Sequence, residues 1–208
     1  IRELIDEFNI STKVIDDLFD GINSDIKERV ELKSKKELLI YSYRVAGTVG
    51  LMMAKILKVN KTNSLKSAID LGIAMQLTNI SRDVIEDKNN KRIYINENFS
   101  DIESTISLSE KFYENSFYSI KEIPLSFRFS ILVARRVYRK IGHKIINKNN
   151  LENYKNSGKI YVTKIEKIIE TFLSIFDLII LTFTNKNDNN IEHDHSLINE
   201  EINLNERF

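Results

Sequence analysis

The chain has 208 residues, of which one is proline, six are glycine and none is cysteine or tryptophan. So few turn-forming residues disfavour an all-β sandwich or barrel, and a chain without cysteine cannot form a disulfide framework, a Cys-ligated zinc site or a thiol nucleophile. A net charge of +1 provides no general attraction to nucleic acid, so no nucleic-acid partner is expected. With 42% hydrophobic residues, the chain is expected to fold as one all-α domain.

Apolar residues recur at helical spacing along most of the chain. The pattern predicts helices over residues 13–30, 35–57, 64–88, 107–121, 125–147 and 160–184, with a loop over 91–100. Ser107 and Glu110 form a candidate capping box at the start of one helix. Pro124 lies where proline is favourable, at the first turn of the helix that follows.

The domain boundary is predicted from a change in composition. We expect residues 1–184 to form a single helical domain and residues 185–208, rich in Asn and acids, to be a disordered tail. His193 and His195 lie in that tail, where their two-residue spacing gives little support to a metal site. The N-terminal IRELIDEFNI has no signal-peptide features and begins in mid-pattern, so a fragment of a longer chain is expected.

The segment Asp70–Asp87 places oxygen-bearing side chains along one side of a helix. At about 100° per residue, a stripe about 80° wide holds Gln76, Asn79, Asp83 and Asp87. The apolar residues around this stripe indicate that it is buried. Asp83 and Asp87 lie one turn apart, so their charges repel each other unless a cation lies between them. Arg82 is expected to point elsewhere. Mg²⁺ would remove the repulsion and bind a diphosphate, with Asp83, Asp87 and Asn79 as ligands.

Residues 41–53, YSYRVAGTVGLMM, form a predicted helix that contains two glycines. An interior glycine costs roughly 1 kcal/mol relative to alanine, so each one requires a reason. Close helix packing and access for a bulky apolar ligand both fit Gly50. At about 100° per residue, Val45 falls beside Tyr41, whereas Gly50 falls on the opposite side.

YSYRVAGTVGLMMAKILKV and AIDLGIAMQLTNISRDVIEDKNNKRIYI together resemble the squalene/phytoene synthase family, and GLMMA and VYRKIG are similar to its bacterial phytoene synthases. With IPLSFRFSILVARRVYRKIGHKI, the resemblance covers about residues 10–150. It implies an isoprenoid-synthase-type helical bundle that uses Mg²⁺, or Mn²⁺ in its place. The implied reaction joins two geranylgeranyl diphosphates head to head, giving phytoene through a cyclopropylcarbinyl diphosphate as the first step of carotenoid synthesis.

The resemblance also implies roles for individual positions. Asp83, Asp87 and Asn79 match the second aspartate-rich motif of the family, which binds Mg²⁺. Tyr41 would line the prenyl cavity near the reacting carbons, and the substrate contacts would be Val45, Ala46, Gly50, Gln76, Arg82, Arg92, Tyr94 and Tyr138. Residues 1–40 contain no counterpart of the first aspartate-rich motif, because Asp16, Asp17, Asp20, Asp25 and Glu28 are interpreted as a solvated face. The fragment is therefore expected to be inactive alone.

Three alternatives to phytoene synthesis stay open. The enzyme could join two farnesyl diphosphates to give squalene or dehydrosqualene, or the chain could be a non-catalytic family member that acts as a scaffold. It could also be a helical module that contacts anionic lipid through Arg135, Arg136, Arg139, Lys140, His143 and Lys144. The expected location is the cytoplasm, with peripheral contact at the inner face of the membrane.

Overall fold

The computed structural model describes residues 2–184 and 193–208, which form an all-α bundle as predicted. The helices are α1 (Arg2–Glu7), α2 (Thr12–Asp25), α3 (Lys35–Ser42), α4 (Thr48–Ile56), α5 (Thr62–Asn89), α6 (Phe99–Phe117), α7 (Leu125–Ile146), α8 (Leu151–Asn156), α9 (Lys164–Phe183) and α10 (Ser196–Asn199). A π-helical segment, Tyr43–Gly47, joins α3 to α4. Strands β1 (Val30–Glu31) and β2 (Arg92–Ile93) pair in parallel.

Side-chain caps decide where two of these helices begin. The Asn98 side chain accepts a hydrogen bond from the backbone N–H of Asp101, so α6 begins at Phe99 and the predicted start at Ser107 is wrong. A capping box between Thr163 and Glu166 starts α9, a few residues later than the sequence pattern predicts.

Helix α5 lies at the centre of the bundle and packs against α4, α6 and α7. Its buried face includes Ile69, Ile73 and Leu77, none of which is accessible to solvent. Burying one such side chain stabilises the fold by about 1.5–3 kcal/mol. Because this face packs into the core, α5 cannot rotate about its own axis, and the directions of its other side chains are fixed.

Two glycines allow α5 to cross the preceding helical segments at very short range. A Cβ atom on Gly50 would lie 2.2 Å from the carbonyl oxygen of Ala68, and one on Gly72 would lie 2.3 Å from that of Ala46. Neither position can hold a larger residue unless the backbone moves. Close helix packing is therefore the reason for both glycines.

The C-terminal residues 193–208 pack against the bundle. Ile198, Ile202 and Leu204 are at most 3% exposed and belong to the main core, and the Arg207 guanidinium binds Asp17 at 2.9 and 3.0 Å. This corrects the expected disordered tail for these residues, whereas residues 185–192 lie outside the part that the structure describes. Residues 185–208 contain few apolar residues, so their average composition resembles that of a disordered segment.

Helix α9 exposes a row of large apolar side chains, most of which face away from α7. The exposed members of this row are Ile165, Ile168, Ile169, Phe172, Ile175, Phe176, Ile179, Ile180 and Phe183. Within the described ranges, no helix is both long and apolar enough to cross a membrane.

Candidate active site

An apolar cavity of about 400 Å³ lies between α4, α5 and α7. One end is lined by Leu57, Val59 and Ser64, near the connection from α4 to α5. The other end is lined by Gln76, Asn79 and Tyr138 and is more polar. From Ser64 to Asn79 the cavity follows about 22 Å of the α5 axis, at 1.5 Å per residue.

The wall on the side of α4 depends on the π-helical segment Tyr43–Gly47. Val45, Ala46 and Gly50 line the cavity together, as the family resemblance implies. Tyr41 is not among the lining residues, contrary to what the resemblance implies, and its hydroxyl binds Asp25 instead. A π-helical turn contains more residues than an α-helical turn, and it therefore rotates the residues that follow it relative to a regular helix.

Tyr41, Tyr94 and Asp25 form a hydrogen-bonded cluster at one edge of the bundle. Each tyrosine hydroxyl donates to a different oxygen of Asp25, at 2.9 Å for Tyr41 and 2.8 Å for Tyr94. The two rings stack 4.7 Å apart, and burial raises the pKa of both hydroxyls well above its usual range. Both hydroxyls therefore remain protonated hydrogen-bond donors at neutral pH.

The interpretation of Asp17 and Asp25 as solvated acids is wrong. Asp25 binds both cluster tyrosines, its backbone carbonyl accepts a hydrogen bond from Arg92, and buried Asp17 accepts one from Tyr43. The pairing of β1 with β2 brings the end of α2 next to the segment that carries Tyr94. Nothing in the local pattern around Asp25 indicates a neighbour 69 residues away, so sequence reasoning missed it.

Asn79 and Asp87 supply oxygen atoms that bind nothing else among the described residues. The Asn79 side-chain oxygen is buried without a hydrogen-bond partner, and no hydrogen bond or salt bridge joins the Asp87 carboxylate to residues 2–184 or 193–208. Burial, together with the charges of Asp83 and Glu86, raises the pKa of Asp87 to about 6. A hard divalent cation would relieve the repulsion and satisfy both oxygens.

Asp83 is neutralised by neighbouring cations, contrary to the expectation that Arg82 points elsewhere. The Arg82 guanidinium donates to both carboxylate oxygens of Asp83, at 2.9 and 2.5 Å, and the Lys159 ammonium lies 3.4 Å away. Burial favours the neutral acid, but these two cations hold the pKa of Asp83 below its usual value. The long Arg82 side chain reaches the carboxylate of the next residue, although regular helical geometry directs the two Cβ atoms about 100° apart.

The structure thus assembles the predicted residues into three adjoining groups. The cavity group is Val45, Ala46, Gly50, Gln76, Asn79 and Tyr138. Tyr41 and Tyr94 belong to the tyrosine cluster, and Arg92 joins it through the backbone carbonyl of Asp25. The acidic end of α5 holds Arg82, Asp83 and Asp87. The charges of Asp25 and Arg92 act on Asp87, which links the tyrosine cluster to the acidic end of α5.

The basic residues of α7 are occupied within the molecule. Arg136 binds Asp177 at 2.5 and 2.8 Å and Glu170 at 3.3 Å, and Lys144 binds Glu166 at 2.7 and 2.9 Å. Arg135 is buried and donates to the backbone carbonyl of Tyr113, and Arg139 binds Glu110. These four side chains therefore do not form a free cationic face: acids of α9 and α6 pair with three of them, and a backbone carbonyl of α6 holds Arg135.

The chain is similar to known proteins of one family. The family model for squalene/phytoene synthase matches residues 1–99. A 15-cis-phytoene synthase of Enterobacter agglomerans is 35% identical over 147 residues, which are 61% of this chain and 50% of that protein. A second 15-cis-phytoene synthase, from Paracoccus sp., is 34% identical over 170 residues, covering 73% of this chain and 55% of that protein.

A solved structure agrees with these matches. A dehydrosqualene synthase crystallised in complex with ligand superimposes with a TM-score of 0.68 at 29% identity, covering 82% of this chain and 66% of that one. The bundle is therefore of the isoprenoid-synthase type. The chain spans about half the length of the curated relatives it matches.

Proposed function

The chain belongs to the squalene/phytoene synthase family, and we propose that its cavity and acidic stripe serve the head-to-head condensation of two prenyl diphosphates. One observation carries this proposal: an apolar cavity ends at Asn79, one turn from Asp83 and two turns from Asp87 on the same helix. A prenyl diphosphate has the matching form, with an apolar tail and an anionic head. A scaffold protein would have no need for buried oxygens that bind nothing else.

Asn79, Asp83 and Asp87 fit a magnesium ion, with Mn²⁺ as a substitute. Their oxygens are the ligands that hard divalent cations prefer, and two of the three groups have no partner among the residues described. When bound, the metal would neutralise the diphosphate as it departs. Arg82, Arg92 and Lys159 are cations beside these acids and are proposed to bind diphosphate oxygens.

The other residues of the site would position the prenyl chain and exclude water. Val45, Ala46 and Gly50 form an apolar wall against which an allylic chain can lie. Water kept away from the reacting carbons cannot trap a carbocation. The hydroxyls of Tyr41 and Tyr94, held by Asp25, are neutral dipoles that can face developing charge without giving up a proton.

We propose geranylgeranyl diphosphate as the substrate because of the length of the cavity. An extended C20 prenyl chain spans about 19 Å and an extended C15 chain about 14 Å, given C–C bonds of about 1.5 Å. The cavity follows about 22 Å of α5 between Ser64 and Asn79, which accommodates the longer chain. Farnesyl diphosphate remains the second candidate, since the similar solved structure is that of a dehydrosqualene synthase.

Binding of a non-reactive substrate tests this proposal without requiring turnover. Geranylgeranyl thiodiphosphate with Mg²⁺ should bind the purified chain at least tenfold more tightly than farnesyl thiodiphosphate in isothermal titration calorimetry. Substituting Asp87→Asn should weaken binding at least tenfold, whereas Asp16→Asn, the same change at an exposed position of α2, should have no effect. Binding that is equally tight without Mg²⁺, or no binding of either analogue, would contradict the proposal.

Chain-length selection can be tested separately at the far end of the cavity. Ala54 lies near Leu57 and Val59, so Ala54→Phe should fill that end and exclude the longer chain. The variant should bind the C15 analogue normally and the C20 analogue at least tenfold more weakly. An equal loss for both analogues would indicate that the tail of the substrate does not reach this end.

We also propose that peripheral membrane contact, at the inner face of the membrane, uses α9 rather than α7. The exposed apolar row of α9 includes Phe172 and Phe176, and Lys164 and Lys167 lie at its start, where anionic lipid would attract them. Sedimentation with vesicles of phosphatidylglycerol and phosphatidylcholine should recover the chain. The double variant Phe172→Asp/Phe176→Asp should stay in the supernatant, and Phe127→Asp, an exposed position on α7, should sediment normally. Sedimentation of both variants would exclude this face.

A further inference from the structure

Two histidines of the C-terminal segment converge on a buried acid of α5. His193 Nδ1 lies 2.5 Å from one oxygen of Asp70, and His195 Nε2 lies 2.5 Å from the other. The Asp70 side chain is fully buried and both histidine side chains are 3% exposed. Each of the three residues can offer one ligand atom, and these atoms lie within 4.8 Å of one another.

One nitrogen of this cluster has no hydrogen-bond partner. His193 Nε2 is buried and makes no hydrogen bond within the described part of the chain. A buried polar atom without a partner normally costs free energy. Nε2 lies across the imidazole ring from Nδ1, the atom that faces Asp70, so an ion held beside Asp70 would bind Nδ1. The convergence of three ligand atoms in one buried place therefore carries the site.

The cluster is separate from the acidic stripe on the same helix. Asp70 precedes Asp83 by about 20 Å of helix axis at 1.5 Å per residue. Viewed down the axis, the two side chains are separated by about 140° at 100° per residue, so they leave α5 on different sides. The stripe offers oxygen atoms alone, whereas this cluster offers two imidazole nitrogens and a carboxylate.

We propose that Asp70, His193 and His195 form a site for a borderline divalent cation, with Zn²⁺ as the most suitable ion. Imidazole nitrogens and one carboxylate are typical zinc ligands, and Mg²⁺ prefers oxygen alone. Zn–ligand distances of about 2.0–2.2 Å in tetrahedral geometry place ligand atoms about 3.3 Å apart, so each imidazole nitrogen, now 2.5 Å from its carboxylate oxygen, would have to move outward by about 0.8 Å. A bound ion would clamp the C-terminal segment to α5 and hold Ile198, Ile202 and Leu204 in the core.

Metal-stripped chain titrated with Zn²⁺ tests this site directly. We expect one equivalent of Zn²⁺ to bind, and a hundredfold excess over the dissociation constant to raise Tm by about 5–10 °C for a chain of this size. Co²⁺ in place of Zn²⁺ should produce visible ligand-field absorption, and ¹⁵N spectra should show metal-bound nitrogens in His193 and His195. These spectra use the native chain, so they do not depend on whether any variant folds.

Variants assign the ion to these ligands. The double variant His193→Ala/His195→Ala should lose at least a hundredfold in Zn²⁺ affinity. His143→Ala removes the remaining histidine of the chain, and it should bind Zn²⁺ as the native chain does. Asp87→Asn should also leave Zn²⁺ binding intact, which separates this site from the proposed magnesium site. Folded native chain that binds no Zn²⁺, or Zn²⁺ binding that survives the double variant, would overturn the proposal.

Discussion

Replacing Asp87 by asparagine should stabilise the metal-free protein while removing its response to Mg²⁺. Burial and the charges of Asp83 and Glu86 raise the pKa of Asp87 from its usual 3.8 to about 6 in the folded protein. A difference of about two in pKa corresponds to roughly 3 kcal/mol, since each unit is 1.36 kcal/mol. The carboxyl group is partly exposed, so solvent screening reduces the expected gain to about 1–2 kcal/mol.

The pH dependence follows from the proton balance. The folded state holds the Asp87 proton more tightly than the unfolded state, so between about pH 3.8 and pH 6 the native protein loses stability as pH rises. The destabilisation by Asp87 is therefore complete above about pH 6, about half present at pH 5, and absent well below pH 3.8. The asparagine variant has no such titration, so its advantage should follow the same profile.

Thermal unfolding followed by circular dichroism measures this effect. At pH 7.5 without metal, Asp87→Asn should raise Tm by about 3–6 °C, and at pH 5 by about half as much. Added Mg²⁺ should raise the Tm of the native chain but not that of the variant. Asp16→Asn is the matched control and should change neither value. An Asp87→Asn variant of unchanged or lower Tm at pH 7.5 would refute the electrostatic reasoning.

The remaining predictions concern stability and can be measured by urea unfolding. Gly72→Ala should cost about 2 kcal/mol, because its Cβ would meet a backbone carbonyl at 2.3 Å, whereas Gly142→Ala has 3.4 Å of clearance and should be neutral or stabilising. Asn98→Ala should cost about 1 kcal/mol, because it removes the hydrogen-bonding cap of α6; an unchanged midpoint would show that the cap is dispensable. Arg136→Met should cost about 2 kcal/mol, because Asp177 would be left buried without its counter-charge, and adding Asp177→Asn should restore most of the loss.

The sequence alone determined the features that depend on neighbours within a few turns of helix. Apolar spacing predicted the all-α class and the long α5, and regular helical geometry placed Asn79, Asp83 and Asp87 on one side of it. For the glycines inside helices, the sequence left two explanations open, close helix packing and access for a ligand. Only the tertiary structure showed that helix packing requires glycine at position 50, because a Cβ atom there would lie 2.2 Å from the carbonyl oxygen of Ala68.

The tertiary structure decided everything that joins distant parts of the chain. Asp25 reaches Tyr94 across 69 residues, and His193 reaches Asp70 across 123, so no periodic pattern could reveal either contact. The π-helical segment Tyr43–Gly47 precedes Gly50, and Val45 and Gly50 line one cavity although regular helical geometry places them on different sides. The C-terminal segment is a further example. Its few apolar residues, Ile198, Ile202 and Leu204, are buried only because the folded bundle provides an apolar surface for them to pack against.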